Sequence, residues 1–351
     1  MGRCQGSAVL KVGSHAAQAC EPRQVRKKAT VSETLRVPWE RLTRVAAPDT
    51  SIGSVSMGGH GLWYIFRLDA VTTVKLTQRR PLKSLGQHFL ADADIGSQIV
   101  AAADLTPRDT VVEVGPGRGF LTRRLVERAG RVIALELDQE LAASLPQRLD
   151  NPSNLAVVPG DARIIDVIAL IGTQTPYKVV ANLPYYAANP ILRHFLEGEL
   201  KPSLMVVMLQ REVAQSILAK PGGMGLLSVA TQYYASGRLI CQVPPHAFRP
   251  PPKVSSSVVR LDIRPTPAVK VKDTQALFNL VRSGFSAPRK QLRNSLSHGL
   301  GLARTETTSF LELAGIDGRR RAETLSMEEW AQIYRVWEGL DAIAGSSLRQ
   351  D

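Results

Sequence analysis

The sequence predicts an α/β fold: a doubly wound, largely parallel sheet followed by a smaller helical region. Two observations carry this. Apolar runs rich in Val, Ile and Leu recur at 110–115, 131–137, 154–158, 177–181 and 204–209, without the polar alternation of a half-exposed strand. Such runs fit strands buried on both faces, as in parallel sheets. Between them lie amphipathic stretches, such as Phe120 to Arg128 and Gln139 to Leu149. Strand and helix patterns that alternate in this way imply βαβ units with helices on both sides of one sheet.

Taken in order, residues 1–80 lack sustained periodicity and carry basic clusters at Arg26-Lys27-Lys28 and Arg79-Arg80. They read as a basic, disordered extension. Their scarcity of acids also permits a transit segment, against which stands the Trp63-Tyr64-Ile65-Phe66 patch. Regular patterning begins at Leu85, and the sheet-bearing domain is set at 81–264. Within it, Ser256 to Ile263 reads as a strand that closes the sheet, and Arg264-Pro265-Thr266-Pro267 reads as a linker. The remainder, 265–351, is expected to be a helical domain with helices near 273–285, 288–298, 305–314 and 326–340. No internal repeat is visible.

The chain has 351 residues, enough for a large domain with an appendage or for two domains. Its net charge of +13 points to a polyanionic partner, with nucleic acid foremost; a basic surface without a partner is the competing reading. Cys4, Cys20 and Cys241 are scattered too widely for a disulfide framework or a zinc site, which favours a reducing compartment and no metal. No apolar run is long enough to span a bilayer.

The first strand, Thr110-Val-Val-Glu-Val, breaks into Gly115-Pro-Gly117-Arg-Gly119. Glycines there let the backbone approach a ligand where a Cβ would intrude. A dinucleotide fingerprint would place its third glycine one position later, at Phe120, so S-adenosylmethionine fits better than a pyrophosphate. The second strand ends at Glu136-Leu137-Asp138. A carboxylate at this place can accept both hydrogen bonds of a ribose diol; Glu136 is assigned that role and Asp138 the following helix N-terminus. The third strand ends near Asp161, which either accepts from the cofactor's adenine amino group or is a plain turn or N-cap residue.

The fourth strand ends in Asn182-Leu183-Pro184-Tyr185. The exocyclic nitrogen of adenine is a poor nucleophile because its lone pair is delocalised into the ring. Two acceptors off the ring plane, the Asn182 side-chain oxygen and the Leu183 carbonyl, would favour a more pyramidal nitrogen. Pro184 restricts Leu183, and Tyr185 can stack on the base. Read alone, the tetrapeptide is an ordinary turn; behind a glycine loop it points to methyl transfer onto adenine.

With these motifs in place the chain, from about Ser84 to Leu340, resembles the ribosomal RNA adenine dimethyltransferases of the small subunit. Further matching pieces are Leu85-Gly-Gln-His-Phe-Leu90, Leu209-Gln-Arg-Glu212, Phe248-Arg-Pro-Pro-Pro-Lys-Val254 and Arg289-Lys-Gln-Leu-Arg-Asn-Ser-Leu296. The resemblance implies a Rossmann-like class I methyltransferase sheet with a smaller C-terminal helical domain. It implies two adjacent adenosines near the 3′ end of small-subunit ribosomal RNA as the target. His88 and Leu90 would border the cofactor together with Gly115, Gly117, Glu136, Asp161 and Asn182. His88 departs from the family's usual Asn and equally suits a surface histidine, and Tyr186-Ala187-Ala188 departs from Asn-Ile-Ser. Phe248 either closes the other face of the target base or is a core aromatic.

Arg289, Lys290 and Arg293 are candidates for RNA phosphates, with a solvated charged face as the alternative. The target adenosine must be unstacked to reach the pocket. The expected partner is small-subunit RNA in a pre-ribosomal particle, met by a monomer in the cytoplasm, or in mitochondria if the extension is a transit segment. Rival functions are a large-subunit methyltransferase of the antibiotic-resistance type and a non-catalytic assembly or transcription factor on the same fold.

Overall fold

A computed structural model describes residues 88–172 and 176–347, with side chains through residue 339. The expected 1–80 extension lies outside the described residues, as do residues 81–87.

The sheet is built as the apolar runs require. β2 (Thr110–Val114), β3 (Arg131–Glu136), β4 (Leu155–Pro159), β5 (Tyr177–Asn182) and β6 (Leu204–Gln210) are parallel, in the spatial order β4-β3-β2-β5-β6. β2 is buried along its whole length and β6 in all but its last residue, because helices cover both faces. On one face Ile191, Leu192 and Phe195 of α5 (Ala188–Glu197) pack against β2, β5 and β6; on the other, Ile95 and Ile99 of α1 (Ala93–Ala102) pack with Leu125 of α2 (Thr122–Val126). Asp92 and Asp138 cap α1 and α3 (Gln139–Arg148), each accepting two backbone N–H bonds.

The far edge differs from the expectation. β9 (Ser256–Ile263) does not close the sheet. It runs antiparallel between β6 and an edge strand, β7 (Ala235–Val243). β7 opens with Ala-Ser-Gly-Arg and is mostly exposed, so it lacks the buried apolar run that marks the central strands. A two-stranded clasp, β1 (Phe89–Leu90) with β8 (Phe248–Arg249), lies outside the main sheet and pairs Leu90 with Phe248.

After the sheet come α8 (Thr274–Gly284), α9 (Leu292–Leu300), α10 (Arg304–Leu313) and α11 (Met327–Ser347). Their core, centred on Trp330, Phe310 and Leu296, also takes in Val229 and Tyr233 of α7 (Leu226–Tyr234), which leads into β7. The linker stretch is tied to α7, since Arg264 N–H donates to the Tyr234 carbonyl and Ala268 N–H to that of Tyr233. The helix expected at 288–298 starts later, at Leu292. The first free N–H groups of α9 are taken by the 318–320 turn, with Leu292 donating to the Arg320 carbonyl and Arg293 to that of Gly318. Among the described residues no helix is long and apolar enough to cross a membrane.

Candidate active site

The strand order turns outward in both directions from the β2–β5 pair, and a ligand crevice is expected at the carboxyl ends of strands flanking such a switch point. A pocket lies there. Its walls come from the ends of β2, β3, β4 and β5, and include Gly115, Gly117, Glu136, Asp161 and the whole Asn182–Tyr185 turn.

Glu136 is buried, yet both of its oxygens are engaged. Gly117 N–H donates to Oε2 at 3.0 Å and Asp138 N–H to Oε1 at 3.0 Å. Burial pushes its pKa up, and these backbone donors pull the other way. Each oxygen retains a second lone pair, so Glu136 can still receive a diol while fixing the glycine loop. Gly117 itself cannot be replaced lightly. Its φ is +57°, and a Cβ would sit 2.9 Å from the Phe89 ring.

Asn182 is oriented by a single bond: its Nδ2 donates to the His88 carbonyl at 3.1 Å. Only the amide nitrogen can donate to a carbonyl, so Oδ1 is what the side chain can offer a ligand as an acceptor. Leu183 is buried, its N–H donating to the Met208 carbonyl, and Pro184 lines the pocket beside it. Tyr185 is half-buried, with its hydroxyl 2.7 Å from Ser256 Oγ and its ring stacked 5.7 Å from His88. Burial raises its pKa, so it stands as a neutral phenol and a platform. His88 Nδ1–H donates to the Pro250 carbonyl at 2.9 Å, which fixes its tautomer; its contribution is to hold Tyr185 and Asn182, with the ring also lining the pocket.

Three side chains stand differently from the simplest expectation. Phe248 is fully buried among Leu90, Val258 and Val243, which favours its reading as a core aromatic. Leu90 pairs with it and lines a neighbouring cavity that shares Phe89, Gly115 and Asn182 with this pocket. Asp161 is at the pocket, but Arg163 grips it bidentately, with Nε 2.9 Å from Oδ1 and Nη2 2.5 Å from Oδ2. That pairing holds the Asp161 carboxyl below the usual aspartate range. Any adenine amino group must share this carboxylate with Arg163.

Comparison with known proteins decides the family. The ribosomal RNA adenine dimethylase family profile matches residues 79–338. This chain belongs to the ribosomal RNA adenine dimethylase family. Ribosomal RNA small subunit methyltransferase A of Dehalococcoides mccartyi (strain CBDB1) is 46% identical over 257 residues, covering 73% of this chain and 88% of that protein. The namesake from Moorella thermoacetica is 46% identical over 266 residues, covering 73% and 92%. The crystal structure of the 23S rRNA methyltransferase ErmE shares 27% identity with a TM-score of 0.58, covering 71% of this chain and 98% of that one. A dimethyladenosine transferase from Plasmodium falciparum has the same fold, at 23% identity and a TM-score of 0.61, covering 70% and 96%.

In this dimethylase the sequence reading missed three side chains at the site, whereas Tyr186, singled out there as a departure from Asn-Ile-Ser, does line the pocket. Phe89 lines the pocket beside His88, and its only sequence signal was its place in Gln-His-Phe-Leu. Arg163 lines it from the loop after β4, where an exposed residue has no periodic signature. Ser256, which holds the Tyr185 hydroxyl, lies 71 residues away along the chain. The candidate RNA residues divide: Arg289 and Lys290 are exposed in the α8–α9 turn, whereas Arg293 is half-buried and donates to Gln291 Oε1. The later Arg319-Arg320-Arg321 run is paired throughout, with Asp317, Glu329 and Glu323.

Proposed function

We propose that this chain transfers methyl groups from S-adenosylmethionine to N6 of two adjacent adenosines near the 3′ end of small-subunit ribosomal RNA, giving N6,N6-dimethyladenosine. The observation that carries the reading is the Asn182 amide, which one N–H bond to the His88 carbonyl orients so that Oδ1 is available to accept from an N–H group. Glu136 and the glycine loop suit the ribose of the cofactor, with Asp161 beside its adenine once shared with Arg163. S-adenosylmethionine, when bound, supplies an electrophilic methyl group.

This chain's residues then have to prepare the nitrogen. Asn182 Oδ1 and the Leu183 carbonyl accept from N6 and keep its lone pair out of the ring system. Tyr185, anchored at its hydroxyl by Ser256 and at its face by His88, offers a rigid surface for the base. None of these side chains is a strong base, which suits a reaction in which the N6 proton leaves after the new bond has made the nitrogen acidic.

The curated relatives at 46% identity carry a small-subunit name, which favours that target over the large-subunit alternative represented by ErmE at 27%. The net charge of +13 supports a ribosomal RNA partner. The reading carries with it a monomer acting on a pre-ribosomal particle in the cytoplasm, with mitochondria as the alternative compartment. Mapping of methylated adenines in small- and large-subunit RNA, with and without the protein, tests it. Dimethylation of two adjacent small-subunit adenosines that depends on the protein is expected, and methylation confined to large-subunit RNA overturns it.

A further inference from the structure

The carboxylate assigned to the cofactor's adenine is already engaged by its own chain. Asp161 Oδ1 accepts the Arg163 backbone N–H at 2.9 Å and Arg163 Nε at 2.9 Å, and Oδ2 accepts Arg163 Nη2 at 2.5 Å. A carboxylate offers about four lone-pair sites, so this one arginine fills about three of them. Asp161 and Arg163 both line the pocket, so the pairing is made inside the site.

The pair follows from the Asp-x-Arg spacing and needs no ligand to organise it. Asp317-Gly318-Arg319, which line neither described cavity, repeat it: the Arg319 backbone N–H lies 2.9 Å and its Nε 3.1 Å from Asp317 Oδ1. Around Arg163 the backbone is pinned. Ala162 is buried, Ile164 N–H donates to the Asp161 carbonyl at 3.1 Å, and the Ile165 carbonyl lies 2.8 Å from His194 Nε2. Asp166 then caps α4 (Val167–Ile171) by accepting from Ala169 N–H. The Arg163 side chain, by contrast, is 44% exposed. It can leave the carboxylate by its own rotations while the loop stays in place. Ion pairs this exposed are weak, so a ligand can displace the guanidinium at a modest loss of affinity.

We propose that Arg163 is an internal competitor for the adenosyl group: it occupies Asp161 in the free protein, and the 6-amino group of the adenine must push it off one oxygen to bind. The same loss falls on S-adenosylmethionine and on S-adenosylhomocysteine, the product left after methyl transfer, because both carry the same adenine. Arg163 thereby lowers the affinity for both and favours release of the product. This rests on the reading of the pocket as an adenosyl site.

The test is Arg163→Ala, which removes the guanidinium and leaves the backbone donor in place. Parent and variant are titrated by calorimetry with S-adenosylhomocysteine and with its analogue carrying hydrogen in place of the 6-amino group. The variant is expected to bind S-adenosylhomocysteine about two- to fivefold tighter, the range that exposed ion pairs span. Binding of the analogue and the melting temperature should stay as in the parent. Arg163→Lys, a point charge without the planar fork, should fall between the two proteins. Unchanged or weaker S-adenosylhomocysteine binding by a folded variant overturns the proposal. So does equal tightening of both ligands, which would place the effect of the guanidinium away from the amino group. Absence of S-adenosylhomocysteine binding in parent and variant alike would sink the cofactor reading and the proposal with it, whereas a parent that binds it no less tightly than Arg163→Ala sinks the proposal alone.

Discussion

Asn182 can offer a ligand its Oδ1 acceptor, and removal of that oxygen should be felt at the chemical step. Asn182→Ala is expected nearly to abolish single-turnover methyl transfer at saturating cofactor; near-normal transfer would end its assigned role. Glu136→Gln keeps one acceptor oxygen where two are now in use by Gly117 and Asp138. Cofactor binding should weaken by roughly 1.5–3 kcal/mol, the scale of hydrogen bonds to charged groups, and an unchanged calorimetric affinity would move the ribose elsewhere. Glu113 gives a pH test. Burial holds its proton to about pH 8 in the folded chain, against an ordinary value of 4.5. Between those values the folded state binds the extra proton, so stability falls as pH rises through that window and levels off above it. Glu113→Gln should remove that fall, a gain on the order of 5 kcal/mol above pH 8; melting curves of both proteins that decline together would contradict this. Glu136, Asp161 and Asn182 were legible as residues because strand ends concentrate ligand contacts. Arg163 was not, because nothing in Ala-Arg-Ile announces that its guanidinium will turn back onto a carboxylate two residues earlier.

Among the elements, the central strands were read from their apolar runs, while β7 and β1 were not. An exposed edge strand and a two-residue clasp bury too little to leave a pattern in sequence. The α8–α9 turn shows how a boundary error changes a functional expectation. A helix from 288 would put Arg289, Lys290 and Arg293 on one surface, whereas the observed turn exposes the first two and commits Arg293 to Gln291 and the 318 turn. Arg289→Glu with Lys290→Glu should therefore reduce the salt slope of RNA binding by about 1.4, two phosphates at about 0.7 each, with Arg293→Gln adding little. An equal loss from Arg293→Gln alone, in a folded protein, would contradict this division.

For the molecule as a whole, the described sheet, the pocket and the helical core all fall within residues 88–347, and the family profile begins at residue 79. A chain starting at residue 79 is expected to fold cooperatively and to bind S-adenosylmethionine with the affinity of the full chain. An insoluble product, or one that fails to bind, would show that the preceding residues are needed. The division at 264/265 was drawn from a Pro-rich stretch. The helical core reaches back to Tyr233 on α7, a contact between segments distant in sequence that no local pattern encodes. Phe248 shows the same limit of local reading: an aromatic before a proline run allowed two roles in the sequence, and the pairing of β1 with β8 encloses it.

That pairing has a bearing on when the cleft becomes competent. The carbonyl that turns the Asn182 amide lies 94 residues before it, on the segment leading into β1, and the histidine there is held by Pro250, 162 residues further along the chain. Contacts that close loops of this length form late, because their chain entropy must be offset by structure already in place. During synthesis the five parallel strands can emerge and pair while the acceptor oxygen still has no fixed direction. Only when the segment after β7 has been made and has folded back on β1 does the aim of that oxygen become set, so a nascent or truncated chain lacking this segment could bind the cofactor without being able to use it.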